Sequence, residues 1–144
     1  MSENYEKIII AVDGSKAAEH AFKKSIEIAK RNDSTLVLAH VVDTRTFATA
    51  EAYDKSLSER AEKYAKDLLN EYVATAKDAG VDKVELVIKY GSPKVAIAKE
   101  IAPENNADLI VVGATGLNAV ERFLIGSVSE SIVRHSKCDV LIVR

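Results

Sequence analysis

Residues Lys7–Ser15 read KIIIAVDGS, and this stretch decides the fold class. Within it, Lys7–Val12 is a β-branched run without alternation, which is typical of a strand that is buried on both faces. Asp13-Gly14-Ser15 then predicts a turn and the start of a helix. Apolar residues recur beyond it at helical spacing, and they are Ala18, Ala21, Phe22, Ile26 and Ala29. A buried strand that leads directly into an amphipathic helix is the first half of a parallel β-α-β unit.

The same alternation continues along the rest of the chain. Four further runs are predicted as strands, and they are Thr35–Val42, Lys83–Tyr90, Asp108–Val112 and Asp139–Val143. Lys83–Tyr90 alternates more than the others, which favours a position near a sheet edge. Asp43–Lys55 has no clear period and receives no assignment.

Helices are predicted between these strands. Ser56–Ala79 is a long amphipathic helix that we expect to stop at Gly80. Gly91-Ser92-Pro93 predicts a turn, an N-cap and a first helical residue, and we expect that helix to stop before Pro103. The last helix is predicted at Ser127–Ser136.

Strands that alternate with helices predict one α/β domain over residues 1–144, a three-layer α/β/α sandwich around a five-stranded parallel sheet. Ligands of such sheets bind at the carboxyl ends of the strands, where the strand order reverses. The candidate positions for a site are Val12-Asp13, His40-Val41-Val42, Tyr90-Gly91 and Val112-Gly113.

Composition narrows the function classes. The 144 residues carry 20 basic and 22 acidic side chains, and this balance argues against a nucleic-acid binder. The single cysteine, Cys138, excludes an internal disulfide and a cysteine-rich metal site. We found neither a transmembrane run nor a signal peptide, which predicts a cytoplasmic protein without a membrane partner.

Glycines and hydroxyls surround the end of the fourth predicted strand. Gly113-Ala114-Thr115-Gly116 follows that strand, and Gly126-Ser127 precedes the last helix. Glycine lets the backbone approach an anion closely, and a helix N-terminus offers unpaired N–H groups to phosphate. A simpler interpretation stays open, because Ser127 and Glu130 fit a capping box and the first two glycines fit a turn.

The spacing Gly113-x2-Gly116-x9-Gly126-Ser127 resembles the nucleotide-binding signature of the universal stress protein family. Matches to this family extend along the chain: Ile8–Ser15, His40-Val41-Val42, Gly91-Ser92-Pro93, Asp108–Gly116, Phe123–Glu130 and Cys138–Arg144. The resemblance implies a Rossmann-like fold of the adenine nucleotide α-hydrolase type with strand order 3-2-1-4-5. It also implies ATP, with or without Mg²⁺, between the first and fourth strands, and a homodimer through Val140–Val143.

The resemblance assigns roles by position. Asp13 would bond the ribose hydroxyls, and the backbone around Ala11, Val12 and Val41 would border the adenine. The phosphates would be held by Gly113, Thr115, Gly116, Gly126, Ser127, Val128 and Ser129. For Asp13, a helix-capping role is the alternative.

The chain departs from the family pattern at two positions. Thr115 stands where many nucleotide-binding members carry a basic residue, and a hydroxyl cannot neutralise phosphate charge, so we expect a lower affinity for a triphosphate. Asp139 stands where the family has a proline, which bears on dimer pairing more than on the ligand.

Related nucleotide-binding folds fit less well. The P-loop motif G-x4-G-K-[ST] is absent, and the first turn lacks the G-x-G-x-x-G of dinucleotide enzymes. The resemblance therefore implies an ATP-binding stress-response or regulatory module. A slow ATP hydrolase or phosphotransferase at the same site is the alternative, and a dimeric module that binds a protein partner without nucleotide is the second. We name no catalytic residue and no metal ligand, and we expect His40 to be packed and hydrogen-bonded.

Overall fold

The computed structural model describes residues 5–43, 55–114 and 126–144, with the backbone alone at 55–57. Its five strands are β1 (Lys7–Ala11), β2 (Thr35–Asp43), β3 (Val84–Gly91), β4 (Leu109–Gly113) and β5 (Asp139–Val143). They form one parallel sheet in the order β3-β2-β1-β4-β5, as the resemblance predicted. Of the unassigned Asp43–Lys55 segment, residues 44–54 lie outside the described part of the chain.

Helices cover both faces of the sheet. They are α1 (Lys16–Asn32), α2 (Lys55–Asp78), α3 (Pro93–Ala96), α4 (Ala102–Glu104) and α5 (Ser127–His135). Alternate strand residues point to opposite faces, so Ile8 and Leu36 pack in the core that includes Phe22 of α1 and Leu69 of α2. Ile9, Val37 and Ile110 pack in the other core, which includes Ile132 of α5. This is the predicted three-layer α/β/α sandwich.

Burial follows the strand order. Ile8, Ile9 and Ile10 of the central strand β1 are all fully buried. β3 lies at an edge of the sheet and leaves Leu86 44% and Tyr90 46% exposed, which confirms the edge position predicted from its alternation.

The helix after β3 does not stop before Pro103, and that prediction is wrong. A π-helical segment, Ile97–Ile101, joins α3 to α4, and the helix runs on to Glu104. Proline has no N–H and its ring clashes with the preceding turn, so an α-helix cannot pass through it undisturbed. Here the Ala102 N–H bonds to the Ile97 carbonyl, and this wider turn accommodates the proline.

Two carboxylates join distant parts of the chain at the amino ends of the strands. Asp108 Oδ2 accepts the N–H groups of Glu6 at 2.8 Å and Lys7 at 2.9 Å, which fixes the start of β1 beside β4. Asp139 Oδ2 accepts the Tyr5 hydroxyl at 2.7 Å. The aspartate that replaces the family proline therefore ties the start of β5 to the segment that precedes β1.

Candidate functional site

The carboxyl ends of β1 and β4 lie side by side in the centre of the sheet. Ile10 pairs with Val111, so the residues that follow each strand emerge together, one strand spacing of about 4.8 Å apart. β2 and β3 lie on one side of β1, and β4 and β5 lie on the other, so the strand order reverses here. We call the space above these two strand ends the switch-point crevice, because ligands of open α/β sheets bind at such a reversal.

Asp13 enters the crevice from the end of β1. Ser15 is the N-cap of α1, with its Oγ 3.1 Å from the Ala18 N–H, so the capping alternative for Asp13 is wrong. Asp13 Oδ1 instead accepts the Ser15 N–H at 2.8 Å, and the side chain is half-buried. This bond orients a carboxylate at the mouth of the crevice.

Tyr64 of α2 covers the turn between Asp13 and α1. Its hydroxyl lies 2.6 Å from where a Cβ on Gly14 would stand, and Gly14 has φ +83°. A side chain at this position would displace the Tyr64 hydroxyl, and the positive φ disfavours any residue other than glycine. The Tyr64 ring lies edge-on to that of His40 at 6.3 Å, and the residue is 54% exposed.

Tyr72 of α2 packs against Phe22 of α1 in the core below this turn. Burial raises the pKa of Tyr72, and the charges of Glu19 and Asp13 raise it further.

Gly113 is required by packing at the end of β4. A Cβ there would lie 2.7 Å from the carbonyl carbon of Ala17 and 2.8 Å from its oxygen, so the first turn of α1 rests directly on this glycine. Its carbonyl accepts the Ser129 hydroxyl at 2.6 Å. The lack of a side chain at Gly113 thus has a structural cause, and its predicted phosphate contact stays a prediction.

The N-terminus of α5 faces the crevice without a side-chain cap. Gly126 is its N-cap, with φ −65° and ψ 158°, and none of the described side chains caps it. The capping-box interpretation is therefore wrong: Ser127 is the first helical residue, and Glu130 pairs with Arg134 at 3.0 Å. Because the first intrahelical bond is made by the Glu130 N–H, the helix leaves three earlier N–H groups unused, those of Ser127, Val128 and Ser129. We call these three N–H groups the α5 cradle.

Two hydrogen bonds attach the start of α5 to the end of β4 and the residue after it. The Gly126 N–H donates to the Ala114 carbonyl at 2.7 Å, and the buried Ser129 hydroxyl donates its only proton to Gly113. Ser129 can therefore offer an anion its backbone N–H but no hydroxyl proton. Ser127, with an exposed side chain, has both groups at the surface of the crevice.

The residues predicted to border a base lie at the β1–β2 side of the crevice. Ala11 and Val41 are half-buried and pack on the core that includes α5, whereas Val12 is buried in the opposite core. The Val12 N–H donates to Ala39 at 2.8 Å, and its carbonyl lies 2.7 Å from His40 Nδ1. His40 is packed and hydrogen-bonded, as predicted.

Some of the predicted features lie beyond what the structure describes. Thr115 and Gly116 lie outside the described residues, so their predicted phosphate contacts remain predictions. Within residues 5–43, 55–114 and 126–144, no cluster of three or more His, Cys, Asp or Glu residues is placed to hold a metal ion. In the same ranges no helix is long and apolar enough to cross a membrane.

Comparisons with known proteins agree with this geometry. A family model described as the universal stress protein family matches residues 4–144. A relative from Staphylococcus aureus (strain USA300), which carries a provisional universal stress protein name, is 54% identical over 140 residues, 97% of this chain and 84% of its own length.

Two solved structures are similar over nearly the whole chain. The universal stress protein UspA from Lactobacillus plantarum has a TM-score of 0.88 and 33% identity, covering 99% of this chain and 100% of its own. A universal stress protein in complex with cAMP has a TM-score of 0.72 and 31% identity, covering 99% of this chain and 98% of its own.

Proposed function

The chain belongs to the universal stress protein family, and from this membership we propose that it is a regulatory module that binds ATP in the switch-point crevice. The single observation that carries the proposal is the uncapped α5 cradle beside the end of β4. The structural relative in complex with cAMP supports an adenine nucleotide as the ligand class.

The phosphates would lie against the α5 cradle. Its three N–H groups point from the positive end of a nine-residue helix, and such an arrangement favours an anion. The neighbouring α1 differs, since Ser15 Oγ accepts the Ala18 N–H of its first turn. Ser127 would add a hydroxyl, and we expect Gly116 to let the preceding loop approach the same phosphates.

The nucleoside would lie toward β2. Asp13 presents a carboxylate that Ser15 has oriented, and a carboxylate accepts hydrogen bonds from two ribose hydroxyls. Ala11 and Val41 are both half-buried, so their exposed parts offer an apolar surface to a flat base. The ligand would then lie with its phosphates at α5 and its hydroxyls at Asp13.

Calorimetric titration of nucleotide-stripped protein with ATP and Mg²⁺, with AMP as control, tests the proposal. We expect saturable binding of ATP that is tighter than that of AMP, because more phosphate oxygens meet the α5 cradle. A folded protein that shows no heat with ATP at two temperatures contradicts nucleotide binding. That outcome would leave the module that binds only a protein partner.

Two loop variants sharpen this test. Gly116→Val should abolish ATP binding while the protein stays folded, because Cβ bulk keeps the loop away from phosphate. Thr115→Lys, at the position where many relatives are basic, should tighten ATP binding. Unchanged affinity in both variants would remove the loop from the site. Phosphate release from the same samples then separates binding from slow hydrolysis.

We also propose a homodimer through Val140–Val143. These apolar residues are half-buried in the protomer and lie on β5, an edge strand whose outer side has no partner strand among the described residues. Deletion of Val140–Arg144 should shift the mass measured by light scattering from dimer to monomer. Val140→Lys keeps the β4–β5 backbone bonds and should weaken the dimer. A dimer that survives both changes places the interface elsewhere.

A further inference from the structure

His40 stands where the pairing between β1 and β2 ends. Ala11 and Ala39 are the last paired residues of these two strands, whereas His40 itself still pairs with Ile88 of β3. Its side chain is half-buried on the α2 side of the sheet, beside Tyr64. The ring therefore lies at the corner of the switch-point crevice, between the end of β1 and α2.

The backbone alternation shows which bond would come next. The Thr35 N–H donates to Glu6 at 2.8 Å, and the Val12 N–H donates to the Ala39 carbonyl at 2.8 Å, so the odd residues of β2 face β1. In a parallel ladder each residue on one strand bonds the residues before and after its partner. If the ladder continued, the Val41 N–H would therefore donate to the Val12 carbonyl.

The imidazole of His40 takes that position instead. His40 Nδ1 lies 2.7 Å from the Val12 carbonyl oxygen. Among the described residues, the Val12 carbonyl oxygen accepts a hydrogen bond from the ring nitrogen and none from the Val41 N–H. A carbonyl only accepts, so Nδ1 carries a proton, and in the neutral ring Nε2 is the acceptor.

We propose that His40 is a positioning residue of the nucleotide site, because its side chain occupies the Val12 carbonyl and thereby leaves the Val41 N–H free for the ligand. The hydrogen bond from His40 also fixes Val12, and therefore the position of the Asp13 carboxylate that follows it. The ligand group that would meet the Val41 N–H is a hydrogen-bond acceptor on the edge of a purine ring. This inference rests on the proposed function for its ligand, but its effect on the backbone is independent of any ligand.

Amide exchange of the ligand-free protein tests the backbone effect. In wild type the Val41 N–H should exchange quickly. In His40→Ala the Val12 carbonyl becomes available, so the Val41 N–H should pair with it and exchange at least about tenfold more slowly. His40→Asn places an amide nitrogen where Nδ1 stands and should restore fast exchange, whereas His40→Gln, whose amide lies one bond further out, should behave like alanine. Unchanged exchange of Val41 in the alanine variant overturns the proposal.

Calorimetry on the same variants tests the consequence for binding. His40→Ala should bind ATP about tenfold more weakly, and His40→Asn should recover most of that loss. Binding of tripolyphosphate, which has no base or ribose, should stay unchanged. His20→Ala, at an exposed histidine on α1, serves as the matched control. Equal weakening of ATP and tripolyphosphate would show that His40 supports the fold as a whole, and it would refute positioning.

The two proposals fail in different ways. If wild type binds no ATP but the exchange pattern of Val41 holds, nucleotide binding is wrong and the role of His40 in the backbone stands. If wild type binds ATP and the alanine variant binds it equally well, the role of His40 is wrong and nucleotide binding stands.

Discussion

Replacing Gly113 by alanine should destabilise the protein through a collision with α1. The added Cβ would meet the carbonyl carbon, the carbonyl oxygen and the Cβ of Ala17 at 2.7, 2.8 and 2.8 Å. Carbon atoms in contact normally stand about 3.5–4.0 Å apart, so α1 or β4 must move by roughly 0.7 Å or more. Two of the three opposing atoms belong to helix backbone, which cannot rotate away.

The size of the effect follows from this geometry. Overpacking a well-packed core by one carbon costs about 1–3 kcal/mol of unfolding free energy. Because the neighbours of Gly113 are rigid, we expect about 3 kcal/mol here. With a urea dependence of about 2 kcal/mol per molar, the unfolding midpoint should fall by about 1.5 M. For a chain of this length, the melting temperature should fall by roughly 6–12 °C.

Urea unfolding followed by circular dichroism measures this change. The double variant Gly113→Ala/Ala17→Gly is the informative control, because it removes the contact between the two Cβ atoms and leaves the two backbone contacts. We expect little recovery in the double variant. A midpoint for Gly113→Ala within about 0.2 M of wild type would refute the packing argument, and full recovery in the double variant would show that only the side chains collide.

Three further changes have defined outcomes. Ser15→Ala should lower the free energy of unfolding, measured in urea, by about 1 kcal/mol, because α1 loses its N-cap bond. Gly14→Ala should cost about 1–3 kcal/mol, and adding Tyr64→Phe should recover only part of it, since the positive φ remains. The pKa of Tyr72 lies above 10.0 in the folded state, so this residue contributes stability that is lost as the pH rises through that higher pKa. Tyr72→Phe should therefore flatten the fall in urea midpoint above about pH 10.

Much of the fold could be predicted because its central strands are almost continuously buried. Lys7–Val12 and Asp108–Val112 are predicted within one residue at each end, since a strand covered on both faces needs apolar side chains at every position. Periodicity alone does not order the strands. The order came from the resemblance, because the pairing of β1 with β4 joins residues about 100 positions apart.

The rest could not be predicted because it depends on contacts between distant elements. Pro103 is a strong local stop signal, but a π turn relieved its cost. A glycine at position 113 fits both a phosphate site and close packing of a helix, so the sequence does not distinguish these roles. The position of Ala17 shows that α1 packs against it.

The candidate site shows the same limit. Ser127 and Glu130 fit a capping box in sequence, yet the N-cap is Gly126 and the Glu130 side chain pairs with Arg134. The approach of Tyr64 to Gly14 has no local signal at all, because its partners lie on different elements. Residues that continue a backbone pattern were therefore predicted, whereas those placed by packing across the crevice were not.

The central position of β1 also determines the order in which the chain can fold during synthesis. Both sides of β1 need partners, but β2 follows it closely while Asp108, which holds its first N–H groups, is 101 and 102 residues further on. In a nascent chain β1 can pair with β2, and β2 with β3, early in synthesis. The other edge of β1 stays unpaired until β4 has left the ribosome. Such an open strand is a template for pairing with another chain. Slow translation between β3 and β4 should thus promote aggregation, whereas a pause after β4 should not.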